Sequence, residues 1–493
     1  MSRERANCAG THLSAGFYFP CYKHVMAEFY LPDFELFSYF ASIDQDEHPY
    51  MFFLESLTVD ENARYSILGF HSLLQMDTRN GQVSVSNNSC THYLKMNILE
   101  AQRIFLQSQP AEAALATSYF YGGMVGFWGY DLALEIAGIN NNLRPAPSLP
   151  DAAFFVPGIV VVQDRLTSII QVLGFYCQEG EEVSLVQKRV NDIVQAIMTS
   201  ANSDAPYLDQ SQHRLNYTDE FISNTTQAEY ENMVIEAQKH IRRGDIFQAV
   251  LSQRWKKPTS AKPLEVYAEL RRVNPSPYMF YLHFPDYTLV GSSPEMLVKV
   301  ENGRIQTRPI AGTRPVTHNE EQDALLRREL AEDEKEISEH IMLVDLGRND
   351  VGKVSLPGTV HVKEFMKVEA FSHVIHLVSA VEGLLKKEED GLSALQACYP
   401  AGTLSGAPKR RAMEIIDKLE KDYRGPYGGA VGYMGLNGCL DTCITIRSVL
   451  FHNECCYIQA GAGIVADSSP PSEYQETVNK ARALMTAILN VEG

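Results

Sequence analysis

The 493-residue chain contains no apolar run near the roughly 18 residues that suggest a membrane-spanning helix. Its first twenty residues lack the continuous apolar stretch of a secretory leader. Basic residues are in deficit: 43 Lys and Arg face 61 Asp and Glu, a formal charge of −18. Such a surface disfavours nucleic acid and anionic membranes as partners. Any anion it binds needs local arginine, lysine or metal. Cysteine is sparse and odd in number, nine in all. Neither Cys439 with Cys443 nor Cys455 with Cys456 has zinc-finger spacing, so the thiols read as reduced and mostly buried in a cytoplasmic protein. There is no G-x-S-x-G elbow, no G-x-G-x-x-G dinucleotide loop, no internal repeat and no low-complexity tract. Pro400–Lys409 (PAGTLSGAPK) approaches a nucleotide-binding loop and fails. Gly402 and Gly406 lie one residue too close, and Arg410 follows Lys409. The loop can still offer backbone N–H groups and the Thr403 hydroxyl to a carboxylate.

What is present is a globular composition, 45% apolar and 21% charged, enough for a large core. Hairpin signals recur at Asn80-Gly81, Asn302-Gly303 and Asn437-Gly438, and at QDRLTS between Ile159–Val162 and Ile169–Val172. Hairpins join antiparallel neighbours, so the expected class is α+β rather than doubly wound. Helices are expected at Glu182–Thr199, Thr226–Arg243, Glu320–Leu346, Ala407–Lys421 and Ser472–Leu489. The second has a Thr226/Glu229 capping box, a Val234, Ala237, Ile241 stripe and Gly244 as its stop. The polar stretch 200–212 is the best linker. It suggests an N-terminal region 1–205 and a catalytic region 206–493, closely packed together.

The stretch Tyr457–Lys480 (YIQAGAGIVADSSPPSEYQETVNK) reads as strand, glycine loop and helix. Gly461 and Gly463 bare the backbone, so that amides can turn toward an anion. Ser472 is the expected N-cap, with Gln475 as capping-box partner. Glu473, Glu476 and Lys480 then share one helix face. Two carboxylates beside a backbone anion site suit Mg²⁺ bridging to an acidic ligand; they also suit a plain capped surface helix. In Glu329–Asp350 (ELAEDEKEISEHIMLVDLGRND), Glu336 and Glu339 form a second pair, with Ile337, Ile341 and Val344 as the buried side. Strand alternation over Asp441–Leu450 sets Thr445, Arg447 and Val449 on one face. Arg447 there is either a carboxylate clamp or a surface ion pair. His376 sits in an apolar run, where a satisfied core histidine and a catalyst look alike, and pattern does not separate it from His373.

Taken jointly, PIAGTRP (Pro309–Pro315), EHIMLVDLGRND (Glu339–Asp350), HLVS (His376–Ser379), PAGTLSGAPK (Pro400–Lys409), RGPYGGAVGY (Arg424–Tyr433) and AGAGIVAD (Ala460–Asp467) resemble the chorismate-utilising enzymes. The similarity is greatest to the anthranilate synthase component I branch, and it runs from about Phe52 to the C-terminus. The resemblance implies a sandwich of two large, mainly antiparallel sheets with helices outside. It implies Mg²⁺ at Glu336, Glu339, Glu473 and Glu476. One chorismate carboxylate would bind through the metal and the Gly461–Gly463 segment, with Ala462 between. The other would meet Arg447 near Tyr427, while Gly312, Thr313, Thr403 and Lys480 complete the pocket. Glu295 resembles the general acid for the departing hydroxyl, which requires a desolvated carboxyl. His376 resembles the histidine of the elimination half.

Two positions separate the relatives. Gln248 stands where isochorismate and salicylate synthases have a lysine that activates water; glutamine instead orients ammonia. Ala311 stands where many aminodeoxychorismate synthases have a nucleophilic lysine. Both favour anthranilate formation, with an aminodeoxychorismate synthase as the alternative and a non-catalytic amino-acid-binding subunit as a reading of another class. Ammonia would come from a separate glutamine amidotransferase subunit. Leu54-Glu55-Ser56 and Asn274–Phe280 (NPSPYMF) resemble a tryptophan feedback pocket. Glu55 and Ser56 would meet the amino group, Pro277, Tyr278 and Met279 the side chain, with Val431 and Tyr433 adjoining.

Overall fold

The computed structural model describes residues 18–57, 64–87, 90–110, 119–139, 149–177, 182–201, 220–317, 319–370 and 374–493. The expected linker falls almost wholly outside these residues, as do His373 and most of the N-terminal lead-in. The side chain of Thr313 is likewise outside them.

Every pairing between described strands is antiparallel. The predicted hairpins form. At Asn80-Gly81 and Asn302-Gly303 both turn residues have positive φ (51° and 74°, 51° and 72°), the requirement of the tight turn whose twist matches its strands. One array runs from Tyr65–Arg79 through Met51–Glu55, Tyr278–Phe284, Tyr287–Ser293 and Ser448–His452 to Cys455–Ile464 and Gln248–Pro258. A second runs from Ala152–Asp164 through Gly123–Trp128, Ala430–Gly435, Leu440–Ile444, Met296–Glu301 and Arg304–Thr307 to Val374–Leu384. The long strands Tyr65–Arg79 and Ala152–Asp164 pair and join the two. Strands from both sides of residue 205 thus alternate in one hydrogen-bonded network.

Strand periodicity sorts side chains between two cores. Phe52, Phe280 and Leu282 join one cluster with Phe127, Val298 and Ile444 of the second array. Their neighbours Phe53, Tyr281 and Val290 join another with helix residues Phe40, Tyr267 and Leu484. Each array therefore has a sheet-facing side, and the first has a helix-covered side: the α+β sandwich expected from the sequence.

Several local expectations are corrected. The helix expected over Glu320–Leu346 is two, Glu320–Glu332 and Glu334–Val354. They part at Asp333, whose carboxylate accepts from the N–H of Lys335 and Glu336. Ile341 is 43% exposed; the buried side of the second helix is His340, Leu343, Val344 and Val351. The C-terminal helix spans Pro470–Glu492 with Ser469 as N-cap. Ser472 lies inside it and Gln475 bonds Asn479, because Pro at the first helical position starts a helix as readily as it stops a chain. Gly461 and Gly463 belong to the strand Cys455–Ile464, not to a loop. The Ala407–Lys421 helix is shortened to Lys409–Leu419, with Pro408 as its N-cap. The eight described cysteines are free, four of them buried. No described helix is long and apolar enough to cross a membrane.

Candidate active site

A cavity of about 760 Å³ gathers almost every residue proposed above from distant parts of the chain. Gln248 enters from the start of the strand Gln248–Pro258, and Gly461 and Gly463 from its partner. Glu295 enters from the junction between Tyr287–Ser293 and Met296–Glu301. Gly312 and His376 come from the paired strands Ile310–Pro315 and Val374–Leu384, and Thr403 from the short helix Gly402–Ser405. Tyr427 and Arg447 come from turns. Glu336 and Glu339 are supplied by the acidic helix Glu334–Val354, and Glu473, Glu476 and Lys480 by the C-terminal helix.

Ala462 does not face the cavity. Alternation turns its methyl into the apolar cluster of Ala249, Leu251 and Ile464. Gly461 and Gly463, on the other face, take the place of side chains. A Cβ on Gly463 would meet Gln248 Nε2 at 2.5 Å, so glycine is what lets the Gln248 amide lie flat on the strand.

Gln248 is 4% exposed, and its side-chain oxygen has no hydrogen-bond partner among the described residues. A buried, unpaired acceptor costs free energy unless a ligand donates to it. Arg447 presents the complementary case. The expected unbroken strand stops at Ile444 and resumes at Ser448. Arg447 itself has φ +51°, a left-handed conformation that a side-chain-bearing residue adopts at a cost. The guanidinium has no ion pair among the described residues, and burial lowers its pKa. A half-buried cation with no such partner calls for an anion.

Glu295 accepts a hydrogen bond from Thr403 Oγ1 at 3.0 Å. Desolvation pushes its carboxyl up to about 7, although Thr403, Arg447 and Lys480 pull the other way. Its surroundings are the cavity wall rather than bulk water. His376 Nδ1 lies 2.6 Å from the Gly312 carbonyl. A carbonyl only accepts, so Nδ1 carries the proton and Nε2 the lone pair. Burial lowers the imidazole pKa.

The two acidic pairs press on one another. Burial raises the Glu339 carboxyl, and so do the charges of Glu336 on its own helix and Glu476 on the other. Glu473 is raised by burial and by Glu476, against a hydrogen bond from Ser468. Glu336 pairs with Arg314 at 3.3 Å and Glu476 with Lys480 at 2.6 Å. As the side chains stand, no three acidic, histidine or cysteine groups among the described residues are drawn tightly enough to hold an ion. The donor set nevertheless suits one: crowded carboxylate oxygens on two helices, facing a common cavity, are the ligands a hard divalent cation takes.

Beneath Tyr427 lies the fully buried Arg424. It binds Glu420 bidentately (2.6 and 2.9 Å) and donates to the carbonyls of Leu404 and Val250. Its guanidinium lies 4.3 Å from the Tyr130 ring centroid and 5.9 Å from that of Tyr427. Removing Glu420 strands a buried charge. Glu420→Ala is expected to lose about 3–5 kcal/mol of stability, read as a fall in the denaturant midpoint; an unchanged midpoint would refute the role given to this pair.

A second cavity of about 320 Å³ is lined by Glu55, Ser56, Pro277, Tyr278, Met279, Val431 and Tyr433, together with Lys299, Arg308 and Asp441. The Glu55 carboxylate, expected to meet an amino group, is instead engaged by Tyr267 Oη and Arg271 Nε, each at 2.7 Å. Half-buried Asp441 accepts from Tyr278 Oη at 3.1 Å. Asn274, which the sequence reading grouped with this pocket, lines the catalytic cavity instead. Lys335 and Asn479 also line the catalytic cavity; no sequence signal marked them.

A fold of two joined antiparallel arrays around a cavity with an arginine that has no ion pair among the described residues, a neutral-range carboxyl and two facing acidic pairs is that of an enzyme for a small polyanion. The family described as chorismate binding enzyme matches residues 51–486, and the chain belongs to that family. Among curated relatives, anthranilate synthase component 1 of Acetivibrio thermocellus is 42% identical over 455 residues, covering 90% of this chain and 91% of that protein. The Aquifex aeolicus protein of the same name is 44% identical, covering 75% and 74%. Among solved structures, anthranilate synthase component I from Streptococcus pneumoniae superposes with a TM-score of 0.75 at 36% identity, covering 86% of this chain and 92% of that one. The menaquinone-specific isochorismate synthase of Escherichia coli shares the fold, with a TM-score of 0.71 at 22% identity.

Proposed function

We propose that this protein is the chorismate-converting component of an anthranilate synthase. It adds ammonia to the chorismate ring with loss of the ring hydroxyl, then eliminates pyruvate to leave anthranilate, in the biosynthesis of tryptophan. The observation that carries the reading is the neutral, buried Gln248 amide, whose oxygen has no partner among the described residues, in one cavity with Arg447, which has no ion pair among them. The amide oxygen accepts from ammonia and holds its lone pair toward the ring; it has no basicity with which to activate water. The guanidinium grips one ring-compound carboxylate through two parallel hydrogen bonds.

Glu336, Glu339, Glu473 and Glu476 would hold Mg²⁺, which when bound supplies the positive charge that secures the other carboxylate. The chain's own groups move the protons. Glu295, kept protonated near neutrality and oriented by Thr403, gives its proton to the leaving hydroxyl, which departs as water. His376, with Nδ1 fixed on Gly312, carries on Nε2 the lone pair that takes the ring proton as pyruvate leaves and the ring becomes aromatic. Tyr427 and Lys480 border the bound ring.

Ammonia is supplied by a separate glutamine amidotransferase subunit in the cytoplasm. The second cavity, which has both cationic and anionic walls beside apolar ones, takes tryptophan as a feedback inhibitor. The test is to give the purified chain chorismate, ammonium and Mg²⁺. Fluorescent anthranilate and an equal amount of pyruvate are expected, with glutamine far less effective than ammonium. A product that keeps its enolpyruvyl group would favour the aminodeoxychorismate alternative and reject this reading.

A further inference from the structure

The two cavities share a wall. Pro294 and Ile310 line both. Along the segment 292–296 consecutive residues serve different sides: Glu295 faces the catalytic cavity, and Met296 lines the second one. Ser292, just before them, is completely buried. Its hydroxyl accepts from Asn274 Nδ2 at 2.8 Å, and its backbone N–H donates to the Arg447 carbonyl at 3.0 Å.

Asn274 opens the loop whose Pro277 and Tyr278 line the second cavity. That loop is tied to the other side of the same cavity, since Ser276 accepts from the N–H of Leu57 at 3.0 Å, next to Ser56. Two hydrogen bonds, joined through Ser292 itself, therefore lead from the second cavity's loop to the backbone of the substrate clamp. Their end point is sensitive. Arg447 holds a left-handed backbone conformation and carries a long side chain with no ion pair among the described residues, so a small backbone rotation displaces the guanidinium.

We propose that Ser292 is a positioning residue that couples the two cavities. A ligand in the second cavity sets the Asn274 loop, and through Ser292 it sets the backbone of Arg447 and hence the grip on chorismate. This rests on the reading of the second cavity as a tryptophan site. Coupling between two ligands is reciprocal, so it can be read from either side without turnover.

The experiment is calorimetric titration of tryptophan into the full-length chain with Mg²⁺, with and without saturating chorismate, ammonia being omitted. In the unaltered protein chorismate is expected to weaken tryptophan binding by about 5- to 150-fold. Ser292→Ala cuts the Asn274 bond and keeps the backbone bond to Arg447. Its tryptophan affinity without chorismate should stay as in the parent, while the weakening by chorismate largely disappears. Ser292→Cys replaces the hydroxyl by a weaker acceptor of similar shape and should reduce the effect of chorismate in the same direction, should Ser292→Ala fail to fold. An undiminished effect of chorismate in the variants overturns the coupling role of Ser292. Tryptophan binding that is indifferent to chorismate in the unaltered protein overturns the coupling but leaves the tryptophan site standing. An absence of tryptophan binding overturns the site and the coupling together.

Discussion

Glu295→Gln is expected to lower the ammonia-dependent kcat by about 10²- to 10⁴-fold, with chorismate binding largely kept. The amide fills the same space and can still accept from Thr403, but it has no proton to give. The pH dependence follows from the same carboxyl. Desolvation raises it to about 7, so the acid form is present below that pH and lost above it. At saturating ammonia the kcat/KM for chorismate should fall as pH rises through about 7, and the variant should lose that limb. A variant that retained both its rate and the alkaline fall would remove Glu295 from the chemistry. Thr403→Ala should shift the limb to higher pH, since the hydroxyl bond lowers the Glu295 pKa.

Arg447→Ala carries the second large effect. Loss of a bidentate, desolvated carboxylate partner is worth about 3–5 kcal/mol, a fall in kcat/KM for chorismate of about 10²- to 10⁴-fold. Arg447→Lys keeps a charge without the planar fork and should recover only part of it. Stability should move the other way. The free protein carries this guanidinium half-buried and without an ion-pair partner among the described residues, so its removal should leave the melting temperature unchanged or raised. Activity and stability both falling would mean that Arg447 is a structural residue.

Elements with a local cause were legible in the sequence. Asn-Gly pairs announced hairpins because few residues tolerate two successive positive φ values. The Thr226 capping box was legible because both of its bonds lie within four residues, and it forms as read. The carboxylate pairs were legible because helical spacing alone sets i and i+3 on one face. What failed depended on distant partners. The strand through Arg447 breaks where its pairing partners change: Leu440–Ile444 pairs with Met296–Glu301, while Ser448–His452 pairs with Tyr287–Ser293, both far away in sequence. Ile341 is exposed because His340, not an aliphatic residue, anchors that side of the helix, with Nε2 2.6 Å from Ser379 Oγ. Gly461 and Gly463 looked like a loop because glycine is poor in strands; the approach of Gln248 to Gly463 and of the Leu251 carbonyl and Tyr427 hydroxyl to Gly461 explains them, and no pattern shows it. Glu55 lines the second cavity as expected; that Arg271 also holds its carboxylate is a distant contact no pattern shows.

The central claim is that acidic side chains from two helices and one arginine act on a single dianion. Its most direct test is the affinity for chorismate in the absence of ammonia, measured with and without Mg²⁺, for the parent chain and for a Glu339→Gln, Glu473→Gln double variant. The expected result is that Mg²⁺ tightens binding by about tenfold or more, some 1.4 kcal/mol, in the parent and not in the double variant. Equal affinity with and without Mg²⁺ in the parent, or an undiminished Mg²⁺ effect in the double variant, would contradict it.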